Sequence, residues 1–230
     1  MSFKNRSYEE ELMDDLDSSG PVIEQTLKEL EVINRLLGGN QVTTNGLEIL
    51  TSNSTETITI GDLGCGGGDI LKLVAQWAEK TGKNIQMIGF DANRHIVQYA
   101  EKNCSEFSNI SFETADIFSE EFKERKFDII ICTLFTHHFH ENDLTRIFTQ
   151  FKSQAKLGVV INDLHRHWLA YYSIKLLTLL FSKSEMVKND GPLSVKRAFK
   201  KKDLISILSK AGISNFNLKW KWAFRWQLVF

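Results

Sequence analysis

Proline is nearly absent from this chain: Pro21 and Pro192 are the two in 230 residues. There is also no low-complexity tract and no internal repeat, so nothing reads as a linker. One domain over residues 1–230 is expected. Cysteine is scarce as well. Cys65, Cys104 and Cys132 stand apart, with no CxxC spacing, which argues against a disulfide framework and a zinc site and suits a reduced cytoplasm. No metal site is predicted. An excess of charge is missing too. The formal net charge is -1, so charge balance gives no strong nucleic-acid or membrane-surface signal. The most apolar run, Trp168–Phe181, is fourteen residues long and carries Lys175. A membrane span needs roughly 20 apolar residues, so no transmembrane segment is expected. The N-terminus, MSFKNRSYEEELMDD, is polar and acidic, unlike a signal peptide. A cytoplasmic location follows as the expectation.

What is present has a regular texture. After the acidic stretch EEELMDDLDSS, residues Val22, Ile23, Leu27, Leu30, Ile33 and Leu37 recur at helical spacing, and Gly38-Gly39 ends the pattern. From Thr57 onward, strand-like runs alternate with helix-like ones. Strands are predicted at ETITIGDL, NIQMIGFD, ISFETAD, FDIIICTL, KLGVVINDL, NFNLKWKW and AFRWQLVF. Such alternation predicts an α/β fold, a doubly wound parallel sheet covered on both faces. FDIIICTL is apolar without alternation, as a central strand would be. The last two strands have no helix between them, which predicts an antiparallel hairpin at one sheet edge. Trp168–Phe181 is apolar nearly all round, so this helix is expected to be covered. It would lie on the sheet and the N-terminal helix, or roof an apolar pocket. Asp190-Gly191-Pro192 reads as a turn, and Lys200–Lys202 as the start of a solvated helix.

Glycine is concentrated where the first strand ends. In ITIGDLGCGGGDI, residues 58–70, five glycines fall within eight positions. Ligands of open α/β sheets bind beyond the carboxyl ends of the strands. A loop without Cβ atoms lets a ligand lie against the backbone, where N–H groups and a helix N-terminus meet polar or anionic atoms. The spacing is D-x-G-x-G-x-G, from Asp62 through Gly64 and Gly66 to Gly68, which departs from the G-x-G-x-x-G of dinucleotide sites.

Asp62, Gly64, Gly66 and Gly68 resemble motif I of the class I S-adenosylmethionine-dependent methyltransferases, and the resemblance runs over most of residues 57–165. It implies a seven-stranded Rossmann-like sheet, S-adenosyl-L-methionine as cofactor and S-adenosyl-L-homocysteine as product. Asp62, Gly64, Cys65 and Gly66 would form the loop around the cofactor. Asp91, followed by Ala92, would accept hydrogen bonds from the ribose hydroxyls. Asp116 would meet the adenine amine with Ile117 beside the ring, and Thr133 would lie close to the cofactor. Asn34 and Arg35 are candidates to reach its carboxylate from the N-terminal helix. Within the chain, residues 1–50 would be a helical lid and 57–165 the cofactor-binding core. Residues 166–200 would cap the acceptor, and 201–230 would supply the last helix and strand pair.

Methyl transfer to a hydroxyl needs a nucleophile held behind the methyl carbon and a route for its proton. Candidate bases follow strands four and five: His137, His138, His140, His165 and His167. His165 and His138 are the leading candidates for the catalytic base. Arg166 would pair with an acidic acceptor group or with Asp163. MDD…INRLLGG, DLHRHWLAYY and NDGPLSVKRAF together resemble a bacterial subgroup found near type III polyketide synthase or phenolic-lipid genes, loosely similar to quinone-pathway methyltransferases. That resemblance implies a small-molecule acceptor with a phenolic or quinol hydroxyl. Rival readings are C- or N-methylation, RNA methylation and a non-catalytic cofactor-binding module. Cys132-Thr133-Leu134-Phe135 stands where amino-group methylation would place an N/DPPY-type signature. The oligomeric state is not legible in the sequence.

Overall fold

The computed structural model describes residues 3–52 and 56–230. Residues 1–2, the start of the acidic N-terminal stretch, and residues 53–55 lie outside that description. The described chain runs through a 3-10 turn (Leu12–Asp14), α1 (Pro21–Leu36), α2 (Asn40–Thr51), β1 (Ile58–Leu63), α3 (Asp69–Thr81), β2 (Ile85–Asp91), α4 (Arg94–Asn103), β3 (Ile110–Thr114) and α5 (Glu120–Lys123). There follow β4 (Phe127–Thr133), a second 3-10 turn (Thr136–His138), α6 (Glu141–Gln154), β5 (Ala155–Leu164), α7 (Trp168–Phe181), α8 (Glu185–Arg197), α9 (Lys201–Lys210), β6 (Asn217–Lys221) and β7 (Arg225–Val229).

The seven strands form one sheet in the order β3-β2-β1-β4-β5-β7-β6. Neighbours are parallel except around β7, which runs antiparallel to both β5 and β6. The expected hairpin is therefore present, with β6 at the edge. β4 is buried on both faces, which explains its unbroken apolar run. Ile130 and Cys132 join a core with Phe148, Phe151, Leu204 and Leu208. Ile129 and Ile131 join the opposite core with Leu47, Leu71 and Val74. Chain order reverses direction between β1 and β4, so the crevice beyond their carboxyl ends is the topological switch point. Among the described residues, no helix is long and apolar enough to cross a membrane.

Two expectations need correction. Asp190-Gly191-Pro192 is no turn but lies inside α8. Pro192 has no N–H to give the carbonyl of Lys188. The helix persists because it is pinned elsewhere. The Ser184 hydroxyl caps it by accepting from the Val187 N–H at 3.2 Å. The buried Asp190 carboxylate accepts from the backbone N–H of Leu12 at 2.9 Å and of Met13 at 3.0 Å, tying the helix to the first 3-10 turn. The second correction concerns α7, which is only half covered. Its inner side packs on α8 through Ala170, Tyr171 and Val195. Trp168, Leu169, Tyr172, Leu176, Leu179 and Leu180 stay exposed on the other side. The absence of helical amphipathicity in the sequence hid which side would face inward.

Candidate active site

The glycine loop joins β1 to α3 at the switch point. Gly64 and Gly68 have φ of +71° and +78°, a left-handed region that side chains with a Cβ avoid. Both positions are also crowded: a Cβ on Gly64 would stand 2.1 Å from the Phe135 ring, and one on Gly68 2.7 Å from Cys104 Sγ. The Gly64 and Cys65 N–H groups both donate to the Phe90 carbonyl, at 2.9 and 3.0 Å. That contact ties the loop to the end of β2, where Asp91 follows. Asp91 Oδ2 accepts from the Gly66 N–H at 3.3 Å and its Oδ1 from the Asn93 N–H at 3.0 Å. The Asp91 carboxylate is thus held beside the loop.

A cavity of about 920 Å³ opens over this loop and continues beneath the N-terminal segment, α7 and α8. Asp62, Gly64, Cys65, Gly66, Asp91, Ala92, Asp116, Ile117 and Thr133 all line it, so every cofactor residue expected from the core meets in one place. The Thr133 and Thr43 hydroxyls share a hydrogen bond of 2.9 Å. Asp116 is exposed at the rim and its Oδ1 accepts from the Phe118 N–H at 2.9 Å. Cys65 is a packed thiol: burial pushes it well above its usual range, so it is no nucleophile.

Arg35 does not line the cavity. It is exposed, whereas Leu27, Leu30, Ile33 and Asn34 of α1 face inward. The cation at this end is Arg225 instead. Arg225 is buried, and its Nη2 donates to Asn34 Oδ1 at 3.0 Å. Among the described residues its Nη1 has no hydrogen-bond partner, and burial lowers the guanidinium to about 10. Opposite in sign are Asp62 Oδ1 and Asp69 Oδ2, also buried with no hydrogen-bond partner among the described residues. Burial, joined by the neighbouring Asp69 and Asp91, raises Asp62 well above the usual carboxylate range. Burial, with Glu31 adding, raises Asp69 to about 6. Native chains rarely leave buried charges unmatched. Two lone carboxylates, a guanidinium with a free N–H and a bare-backbone loop together fit a zwitterionic amino-acid ligand.

The histidines separate. His165 lies outside the cavity lining. Its Nδ1 accepts from Trp220 Nε1 at 3.2 Å, its ring meets the edge of Trp226, and burial lowers it to about 4. His137 and His138 both line the cavity. His137 is buried, with Nδ1 2.8 Å from Asp163 Oδ1. His138 Nδ1 lies 2.5 Å from Asp14 Oδ1. Burial works to raise Asp163, yet His137 and Thr136 outweigh it and hold the carboxylate below its ordinary range. Arg166 pairs with neither an acceptor pocket nor Asp163. It is buried and donates from Nη2 to Asp203 Oδ2 at 2.8 Å, with further bonds to the Phe3 and Ala198 carbonyls.

Glu11, Asp14 and Arg225 are the site residues that sequence reasoning missed. Glu11 lines the cavity and is buried, and burial pushes its carboxyl up to about 7. Nothing in EEELMDD distinguishes Glu11 and Asp14 from solvated acids. Arg225 carried a partial signal, a charged residue opening the strand RWQLV, whose only other polar residue is Gln227.

A family model described as a methyltransferase domain matches residues 54–212. Among curated proteins, the chain is similar to the carboxy-S-adenosyl-L-methionine synthase of Helicobacter pylori strain P12. It is 22% identical over 174 residues, 71% of this chain and 70% of that one. Among solved structures, magnesium protoporphyrin IX methyltransferase from Synechocystis PCC 6803 with bound SAH superposes with a TM-score of 0.55 at 18% identity, covering 85% of this chain and 84% of that one. Human N-acetylserotonin methyltransferase in complex with SAM gives 0.63 at 15% identity, over 90% of this chain and 55% of that one. At these identities the structural likeness is one of fold.

Proposed function

Because this chain belongs to the methyltransferase-domain family, enzymes that draw a methyl group from S-adenosylmethionine, we propose that its cavity takes that cofactor at the glycine loop and a small apolar acceptor beneath α7 and α8. The acceptor group is a phenolic or quinol hydroxyl. One observation carries the reading: a single cavity joins the loop to His138, with Leu164, Ala170, Ile174, Leu177 and Val195 among its walls. Its volume, about 920 Å³, lies at the upper end of the roughly 300–1,000 Å³ range for small-molecule sites, which suits two ligands side by side. A mostly apolar cleft also supports a small acceptor over RNA.

When bound, S-adenosylmethionine supplies an electrophilic methyl group for in-line displacement. The chain's own residues hold, orient and exclude water. Asp62 and Asp69 would pair with the ammonium end and Arg225 with the carboxylate. Asp91 would take the ribose diol, and Asp116 and Ile117 the purine. Thr133 stands at the end of β4, between these groups and the acceptor side. His138, also on the cavity wall, is the group through which the acceptor hydroxyl is activated. Asp14 fixes its tautomer by accepting the Nδ1 proton, which leaves the Nε2 lone pair available.

A screen with labelled cofactor against alkylresorcinols, hydroxyquinones and RNA tests the reading. Label is expected in a phenol or quinol, with the methyl on oxygen by mass spectrometry and NMR of the product. Transfer to RNA alone, or to carbon or nitrogen, would overturn the acceptor assignment. His138→Ala is expected to lower kcat about 100-fold or more, the usual scale for a lost proton-transfer group. Its affinity for S-adenosylhomocysteine should stay within about twofold, since the nucleoside end of the cavity is untouched. Undiminished turnover would remove His138 from the mechanism.

A further inference from the structure

Among the described residues, two buried polar atoms face each other with no hydrogen-bond partner, His137 Nε2 and Glu11 Oε1, although Arg197 Nε stands 3.6 Å from the latter. The two unpartnered atoms lie 3.6 Å apart, and each side chain is at most 4% exposed. An unpaired buried acceptor costs roughly 1–3 kcal/mol, so a native fold that leaves two of them face to face points to a missing partner. A third atom completes the set. His138 Nε2 lies 4.0 Å from Glu11 Oε2, and single ligand atoms from Glu11, His137 and His138 all fall within 4.8 Å of one another.

We propose that Glu11, His137 and His138 bind a divalent transition-metal ion at the acceptor end of the cavity. Ligands about 2.1 Å from one metal stand at most about 4.2 Å apart, so the side chains would close on an ion by a few tenths of an ångström to reach one centre. Both imidazoles are oriented as metal ligands are, with the second nitrogen held by a carboxylate: Asp163 Oδ1 at 2.8 Å for His137 and Asp14 Oδ1 at 2.5 Å for His138. Those contacts put the ring protons on Nδ1 and turn both Nε2 lone pairs toward Glu11. Local charge has room for a cation. Glu11, Asp14, Asp163 and Asp190 gather here against Arg6 and Arg197. Four carboxyl groups there face two guanidinium groups. Two imidazoles and one carboxylate select zinc, iron, cobalt or manganese over magnesium or calcium.

All three ligands line the cavity, so open coordination positions face the acceptor. The catalytic consequence rests on the methyltransferase reading; the metal site itself rests on the geometry above. A hydroxyl oxygen coordinates the ion and its O–H bond breaks. The electron pair stays on oxygen as a metal-bound phenolate, and the proton leaves to solvent. With the ion bound, His138 would serve as its ligand in place of taking the proton directly, since its one Nε2 lone pair can do only one of the two.

Chelator-stripped protein titrated with Co²⁺ provides the test, read by calorimetry and by the visible absorption of coordinated cobalt. One equivalent is expected to bind. His138→Ala, His137→Ala and Glu11→Gln should each weaken Co²⁺ binding tenfold or more. Asp14→Asn, which removes the carboxylate support of His138 together with the Arg197 ion pair, should weaken it by about 10–100-fold. S-Adenosylhomocysteine affinity, measured on every variant, reports folding independently, and Glu11→Gln and Asp14→Asn keep the shape of the side chain if His137→Ala fails to fold. Absence of stoichiometric Co²⁺ uptake by the parent overturns the proposal, as does uptake that these substitutions leave unchanged. Metal binding without S-adenosylhomocysteine binding would leave the metal site standing and remove the cofactor reading; the reverse would do the opposite.

Discussion

Asp69→Asn is expected to raise the melting temperature of the ligand-free protein while weakening S-adenosylhomocysteine binding at least tenfold. Asp69 is a buried carboxylate with an unpartnered oxygen, and burial moves its ionisation from 3.8 to about 6. Ionising it at pH 7 in the folded state therefore costs about 3 kcal/mol. Part of that is recovered because Asp69 opens α3, where an acidic side chain at a helix N-terminus contributes about 0.3–1 kcal/mol. Asn keeps the shape and removes the cost, for a net gain of about 2 kcal/mol. At roughly 2–4 °C per kcal/mol for a chain of this size, the shift is several degrees. The pH dependence has a definite sign. Between 3.8 and about 6 the folded state holds a proton that the unfolded state has lost, so the destabilisation is full above about pH 6 and absent below 3.8. The advantage of Asp69→Asn should shrink as pH falls through that window. Cofactor binding should weaken in the parent through the same window, since protonation removes the charge that pairs with the ammonium. Equal melting temperatures together with equal affinities would show that Asp69 is not a charge held in readiness for a cation.

The same unbalanced charge explains what could and could not be read from the amino-acid order. Strand and helix order was legible because β4 is apolar throughout and the helices carry local periodicity. That the residues expected at the cofactor would share one cavity was legible because the glycine loop, Asp91 and Asp116 each sit at a fixed place relative to a recognisable strand. α2 was not read as a separate element: Thr43, Thr44, Gly46 and Thr51 are weak helix formers, yet all four are buried on the helix. Tertiary burial overrode propensity there, as it did at Pro192. The acceptor end was illegible for another reason. Glu11 meets His137, and Asp14 meets His138, across more than 120 residues of sequence, so no local spacing encodes the cluster. Asn34 and Arg35 both read as candidates because helical position alone does not say which of two adjacent residues turns inward. The inward-facing Asn34 then binds Arg225, a partner 191 residues away. Long-range pairs of this kind built the polar parts of the site, whereas local rules built its frame.

Gly64→Ala should cost about 2–5 kcal/mol, the largest loss expected from adding a single methyl group to this chain. Two separable effects contribute. The left-handed φ of +71° costs a residue with a Cβ about 1–2 kcal/mol. The new Cβ would stand 2.1 Å from the Phe135 ring, and overpacking of this kind costs about 1–3 kcal/mol. Phe135 is held on one side, where its ring meets Phe139 edge-on at 5.0 Å, and can yield only toward the cavity it lines. A double-mutant cycle with Phe135→Ala separates the contributions. In the truncated background the methyl meets no ring, so Gly64→Ala should cost only the 1–2 kcal/mol of backbone strain. Denaturant midpoints on the four proteins give the coupling directly. An identical cost in both backgrounds would mean that the ring contact has no energetic weight and that backbone conformation alone demands glycine. The opposite wall of the crevice carries the same kind of strain, since Leu134 at the end of β4 holds φ +55° although it has a side chain. Left-handed residues thus flank the switch point on both strands, where strained backbone brings the loop and the Thr133 end of β4 onto one cavity.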